Sequence, residues 1–303
     1  MFLLPSWVLF TVAAAGAQTL RNAMQRDLIH TIGTAGATYV RFLFGLPFAV
    51  AFLLLACVAT GRPPNPLNLA ALAWTGVGGV AQILATGLML AAMRERSFVV
   101  TTAYTKTEPV QVALFGLIAL GDRVTGAGAL AILVATAGVI LMSWPARSAK
   151  PLAAGEAAGW RPAMLGLGAA ACFALSSVGF RAGILAMGGP TFFVAASTIL
   201  AAGLCIQSTL IVAHLALFDR RLLKSVLAAW RPSLFAGFLG AFASQFWFMA
   251  FAIETAARVR TLALIEVVFA QIVSRRIFKQ GASAREFVGM GMIIAGVALL
   301  LSA

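Results

Sequence analysis

Two stretches of this 303-residue chain repeat one another at a fixed offset, and that offset restricts the fold more than any local pattern. A shift of 158 positions places Glu108 on Glu266, Thr125 on Ser283, and Ala137-Gly138-Val139 on Ala295-Gly296-Val297, without a gap. Two helices and the turn between them therefore coincide, which marks an internal duplication. The first copy centres on Thr101 to Arg123, TTAYTKTEPVQVALFGLIALGDR, where Lys106 and Glu108 stand inside an otherwise apolar run. A charge at the middle of a bilayer costs about 2.5–3.5 kcal/mol on insertion scales, so charges kept there usually mark a pathway.

The membrane setting follows from the apolar blocks. The chain is 61% hydrophobic and 10% charged, with a mean hydropathy of +0.98, more apolar surface than a water-soluble domain of this size tolerates. A span needs about 20 apolar residues. Blocks of that length predict ten transmembrane helices: Trp7–Met24, Gly33–Thr60, Leu69–Met93, Phe98–Leu120, Thr125–Trp144, Ala163–Met187, Thr191–Phe218, Pro232–Ile253, Ala257–Phe278 and Ala284–Leu301. The alternating pattern of a barrel strand is missing. Pro5 to Met24 lacks a basic start and a cleavage site, so it reads as a retained first span. The net charge of +13 does not point to nucleic acid, because the basic residues fall between apolar blocks, where they suit anionic membrane lipids. Cys57, Cys172 and Cys205 stand alone in apolar runs, and the two histidines, His30 and His214, have no acidic motif beside them. No metal site, cofactor or catalytic group is expected.

An odd number of spans per copy inverts the second copy relative to the first. The expected fold is all-α and integral to the membrane, two inverted five-helix repeats, residues 1–146 and 162–303, joined by a linker at 147–161. Inverted repeats put a binding site near the midplane, on their pseudo-two-fold axis. Most basic residues are counted with the gaps after odd-numbered spans, as are Arg94, Arg147 and Arg221, whereas Arg62, Arg123, Arg181, Arg258 and Arg260 are counted with the even gaps, the last three from within the ends of the sixth and ninth spans. The positive-inside rule then puts the odd gaps in the cytoplasm and both termini outside. Arg21 and Arg26 read as head-group anchors.

The five-plus-five layout, the Glu108-Pro109 pair, the Leu120-Gly121-Asp122-Arg123-Val124-Thr125 turn and the Ala137-Gly138-Val139 helix end resemble the EamA-type branch of the drug/metabolite transporter superfamily. The family turn usually reads Gly-Glu-Arg-Leu-Thr, so Asp122 and Val124 depart conservatively. The second copy departs further, with Val267 after Glu266 and no acid in Lys279-Gln280-Gly281. The resemblance implies a secondary transporter in the cytoplasmic (inner) membrane, commonly an exporter of small metabolites, with a central cavity between the repeats.

Helical spacing puts Thr101, Tyr104, Glu108 and Gln111 on one face, with Lys106 about 200° away. Lys106 and Glu108 then need partners on other helices, and Glu266 and Arg41 are the candidates. Either these four charges take part in transport or they are buried ion pairs that fix packing. Candidate substrate-binding residues are Gln18, Asn22, Tyr39, Arg41, Gln82, Thr86, Tyr104, Lys106, Glu108, Gln245, Trp247 and Glu266, with Glu108 and Glu266 also candidates for proton coupling. The four charges sum to zero, which suits a small amphoteric, amino-acid-like substrate whose carboxylate meets Lys106 or Arg41 and whose amine meets Glu108 or Glu266. A flippase for lipids or lipid-linked sugars is the alternative on the same fold. A membrane-embedded transferase would need a nucleophile, a metal cluster or a large soluble loop. The other expected partners are protons and membrane lipids; a monomer suffices.

Overall fold

Runs of Leu, Ala, Val and Phe with no water to satisfy the backbone have to bond internally, and every regular element among the described residues is a helix. The computed structural model describes residues 5–95, 104–143, 160–189, 191–268 and 284–302. The helices are α1 (Ser6–Leu43), α2 (Leu46–Thr60), α3 (Leu69–Glu95), α4 (Glu108–Leu120), α5 (Gly126–Ser143), α6 (Trp160–Met187), α7 (Phe192–Phe218), α8 (Arg220–Ala228), α9 (Trp230–Ile253), α10 (Ala256–Leu262) and α11 (Ala284–Ser302). Six stretches among the described residues are long and apolar enough to cross a bilayer: Ala35–Thr60, Leu69–Ala92, Trp160–Met187, Phe192–Phe218, Trp230–Ile253 and Ala284–Ser302. The helices Glu108–Leu120 and Gly126–Met142 are apolar but shorter.

Three expectations change. The first two spans are not parted by a loop: α1 continues helically through the His30 position and breaks only at Gly33, whose φ of 70° and ψ of 173° suit a residue without a Cβ. The fourth and ninth spans are not continuous helices, because each is interrupted beside its repeated glutamate. The segment after α7 is also not a loop but the basic helix α8. The expected linker at 147–161 falls outside the described residues except for Trp160 and Arg161, which open α6.

The chain divides into two compact units, and α3 and α6 each run from one into the other. Unit one comprises Met1–Val80 and Gly179–Glu254. Along α9 the half-buried Phe238, Phe242 and Phe246 form a ladder that meets Phe48 and Phe52 of α2 and Phe10 of α1. Small residues let backbones close on one another: a Cβ on Gly237 would lie 2.6 Å from the Phe44 backbone, so α1 and α9 touch there. Asn65 and Asn68, in the link between α2 and α3, donate to the Gly188 and Ala186 carbonyls at 2.8 and 2.7 Å, which satisfies the open end of α6.

Unit two comprises Ala81–Val178 and Thr255–Ala303. Its framework is α5 against α11, joined through the triplets that carry the duplication. A Cβ on Gly138 would lie 2.7 Å from the Gly289 carbonyl, and one on Gly296 would lie 2.8 Å from Ala135. Gly289 in turn faces Met142. Partner numbers on α11 fall as those on α5 rise, so the two helices are antiparallel. The contact is also self-complementary, since Gly289 and Ile293 are Ala131 and Ala135 shifted by 158. Gly121, at φ 68°, closes α4 in a left-handed cap that brings the Asp122 N–H to the Gly116 carbonyl at 3.1 Å.

Candidate functional site

The site in unit two begins with two broken helices. Pro109 has no N–H and cannot continue the ladder, so the segment at Tyr104–Thr105 turns over Lys106–Thr107 before α4 starts at Glu108. Thr107 stabilises the turn by donating its hydroxyl to the Tyr104 carbonyl at 2.7 Å and accepting from Gln111 at 3.2 Å. In the second copy α10 stops at Leu262, turns over Ala263–Leu264 and resumes at Ile265. No proline stands there. The turn is held by short backbone bonds, Leu264 N–H to the Thr261 carbonyl at 3.1 Å and Glu266 N–H to the Ala263 carbonyl at 3.0 Å. Interrupted helices in a membrane leave backbone groups and ionisable side chains facing inward, the arrangement transporters use at ligand sites.

Each copy's glutamate is bound by the other copy's cation. Arg260 on α10 grips Glu108 with two parallel bonds, Nε to Oε1 at 2.7 Å and Nη2 to Oε2 at 2.6 Å. Such a fork is the strongest geometry available to this pair. The Ser177 hydroxyl of α6 adds a longer bond to Oε1 at 3.4 Å. Lys106 donates to Glu266 in the second ion pair. Glu108 is only 7% exposed, and its place at the start of α4 favours its negative charge further. The expected Lys106–Glu266 pair is therefore present. Glu108 is held by Arg260 and Ser177, neither of which was a candidate, and the single helical face proposed for Tyr104, Glu108 and Gln111 does not exist as such, because the chain turns between Tyr104 and Glu108. Thr101 lies outside the described residues.

The remaining candidates of unit two lie on α3 and beside α6. Thr86 is buried and gives its hydroxyl to the Gln82 carbonyl of its own helix at 2.8 Å. Gln82 is half-buried. Tyr104 packs against α6 at Gly166, where a Cβ would come within 2.6 Å of the tyrosine Cβ.

Unit one gathers a second polar set where α1 meets α9. The Trp247 indole N–H donates to Gln18 Oε1 at 3.3 Å, and the ring stacks on Phe251. Gln245 donates to the Ser197 hydroxyl at 2.9 Å, while its own Oε1 is buried with no hydrogen-bond partner among the described residues. Gly240 leaves room for Arg21 and Arg41, whose side chains both pass it. Arg21 is 7% exposed, so it is not the head-group anchor expected of it. Tyr39 is half-buried on α1, and the Asn22 side chain lies outside the described residues.

Two arginines assigned to loops are helical residues with fixed work. Arg181, inside α6, donates to the Phe251 carbonyl at 2.6 Å and to the Glu254 carbonyl, closing the end of α9. Arg258, in α10, donates to the Leu300 carbonyl of α11 at 3.0 Å. Cations at helix C-termini are favoured by the exposed carbonyls.

The interrupted apolar helices with paired interior charges describe a multi-pass membrane transporter. The model of the EamA-like transporter family matches residues 5–144 and 160–302, and the chain belongs to that family. It is accordingly a membrane transporter of the drug/metabolite type, and the family's members are transporters, not enzymes. No curated protein matches the chain. A solved crystal structure is similar in fold, with a TM-score of 0.64 at 14% identity, over 97% of this chain and 96% of that one.

Proposed function

We propose that the protein is a secondary transporter that exports a small amphoteric, amino-acid-derived metabolite across the cytoplasmic membrane by alternating access. The observation that carries this reading is the crosswise pairing at the two interrupted helices, Arg260 on Glu108 and Lys106 on Glu266. A buried pair is costly to break because each partner leaves an uncompensated charge, about 3–5 kcal/mol when one side is removed. A ligand carrying both a carboxylate and an ammonium avoids that cost. Its carboxylate takes Lys106 as its ammonium takes Glu266, and no charge is left unmatched at any stage. An anion or a cation alone leaves one protein group exposed.

The same chemistry supports coupling to protons. Lysine can surrender its proton when desolvated, and arginine cannot. The Lys106–Glu266 pair is held by a lysine and the Glu108 pair by an arginine fork. Proton antiport is assigned in this proposal to Glu108, Glu266 or both. Of the other candidates, Gln245 stays in the proposal as a polar residue of unit one with a buried Oε1. Gln18, Asn22, Tyr39, Arg41 and Trp247 in unit one, and Gln82, Thr86 and Tyr104 in unit two, stay in the proposal as lining residues.

The repeat organisation belongs to the same proposal: ten spans in two inverted five-helix halves, residues 1–146 and 162–303 joined by 147–161. The antiparallel, self-complementary contact of α5 with α11 supports it. Flux of amino acids into proteoliposomes under a pH gradient tests the transport reading. Lys106→Met and Glu266→Gln are expected to abolish it, and undiminished gradient-driven flux in both would refute the mechanism.

A further inference from the structure

The helix α8 follows α7 after one residue, Asp219, and precedes α9 after one residue, Ala229. At 1.5 Å per residue, α7 and α9 are about 40 and 36 Å long, more than the roughly 30 Å of bilayer hydrocarbon. Their adjoining ends reach the head-group layer, and such short links keep α8 there. Its register is fixed from both sides. Asp219 caps its first turn by accepting from the Leu222 N–H at 3.0 Å, and Val226, with Leu222 beside it, packs into a cluster with Leu28, Ile32 and Val40 of α1.

That docking turns the opposite face outward. Arg220, Arg221 and Lys224 are exposed, as is Arg231 at the start of α9, whose guanidinium lies 5.3 Å from the ring centre of Trp230. Apolar side chains border them: Leu217 and Phe218 at the end of α7, Leu227, and Trp230 are all exposed. Four cations bordered by a half-exposed tryptophan and bare aliphatics fit a surface whose outer layer is anionic and whose inner layer is hydrocarbon. Nucleic acid or an acidic protein would offer the charge without the apolar layer. We infer that α8 with Arg231 is a binding surface for anionic phospholipid, and that the protein's stability depends on the charge of the leaflet around it.

The test compares thermal unfolding in nanodiscs of phosphatidylcholine alone with nanodiscs also containing phosphatidylglycerol, at low and high salt. Wild type is expected to melt higher with the anionic lipid, with the gain lost at high salt. Arg220→Gln/Arg221→Gln/Lys224→Gln is expected to lose most of that gain and about a hundredfold in apparent affinity for the anionic lipid, from roughly fivefold per cation. Arg220 also donates to the Ala216 carbonyl, so Arg221→Gln/Lys224→Gln serves as the second variant, and an unchanged melting point in phosphatidylcholine shows that it folds. Arg62→Gln, an exposed cation after α2, should keep the full lipid response. A variant that keeps the wild-type response, a wild type with none, or stabilisation by soluble polyglutamate or an oligonucleotide without any by phosphatidylglycerol would overturn the proposal. None of these measurements involves flux, so failure here leaves the transport reading untouched.

Discussion

Arg260 and Glu108, 152 residues apart in sequence, meet in a two-pronged ion pair with bonds of 2.7 and 2.6 Å. The arginine belongs to the second copy of the duplication and the glutamate to the first, so this contact ties the copies together within unit two. Lys106 and Glu266 tie them the other way round. The two cations are not equivalent by the repeat, since Lys106 stands two residues before its own copy's glutamate and Arg260 six before its own. The duplication has thus kept its acids at one repeat position and recruited its cations from different ones.

Removing Arg260 strands the Glu108 carboxylate. Arg260→Met is expected to destabilise the protein by about 3–5 kcal/mol, and Arg260→Lys by less, because a lysine keeps the charge and loses the fork. Arg260→Met/Glu108→Met should recover most of that stability while remaining inactive. Melting curves and flux on the three variants check it; a double variant that transports normally would make the pair purely structural.

Lys106 and Glu266 should tolerate exchange as far as folding is concerned. Lys106→Glu/Glu266→Lys is expected to melt within a few degrees of wild type, while each single change lowers the melting point markedly through like-charge contact. Additive losses in the double variant would contradict the pairing.

The glycines of α5 and α11 give a prediction about packing. Gly138→Ala and Gly296→Ala each drive a Cβ to within 2.7–2.8 Å of the facing helix and should destabilise by about 1–3 kcal/mol, by similar amounts because the contact is self-complementary. Gly291, with nothing within 4 Å, should accept alanine without loss. Chemical denaturation in detergent would separate the three. Unequal responses at Gly138 and Gly296 would argue against the two-fold relation of these helices.

Much of this arrangement was legible in the sequence because charge in an apolar run is a loud signal. Glu108, Glu266 and Lys106 announced themselves, and the Lys106–Glu266 pair followed from there being few possible partners. Arg260 was missed because it sits in the first turn of the ninth predicted span, Ala257–Phe278, where it was counted with Arg258 as a charge flanking the membrane rather than as a partner for Glu108. In the structure they lie on α10, a helix of seven residues that ends at the turn before Glu266. Pro109 advertised one interruption, whereas the second has no proline and rests on backbone bonding that sequence does not display. The helix α8, nine residues long, is too short to stand out as an apolar span. Its signal was periodic instead, with Leu222 and Val226 on one face and Arg221 and Lys224 on another.

The central claim is that a ligand with both charges opens these pairs, and ligand protection of the purified protein tests it most directly, since a bound ligand raises the melting temperature by mass action. A panel of free amino acids would be compared with their N-acetyl derivatives and methyl esters, on wild type and on Lys106→Met and Glu266→Gln. At least one free amino acid is expected to stabilise wild type, its two derivatives should each lose the effect, and both variants should respond to none. Equal stabilisation by the amino acid and either derivative, or an undiminished response in both variants, would contradict the account.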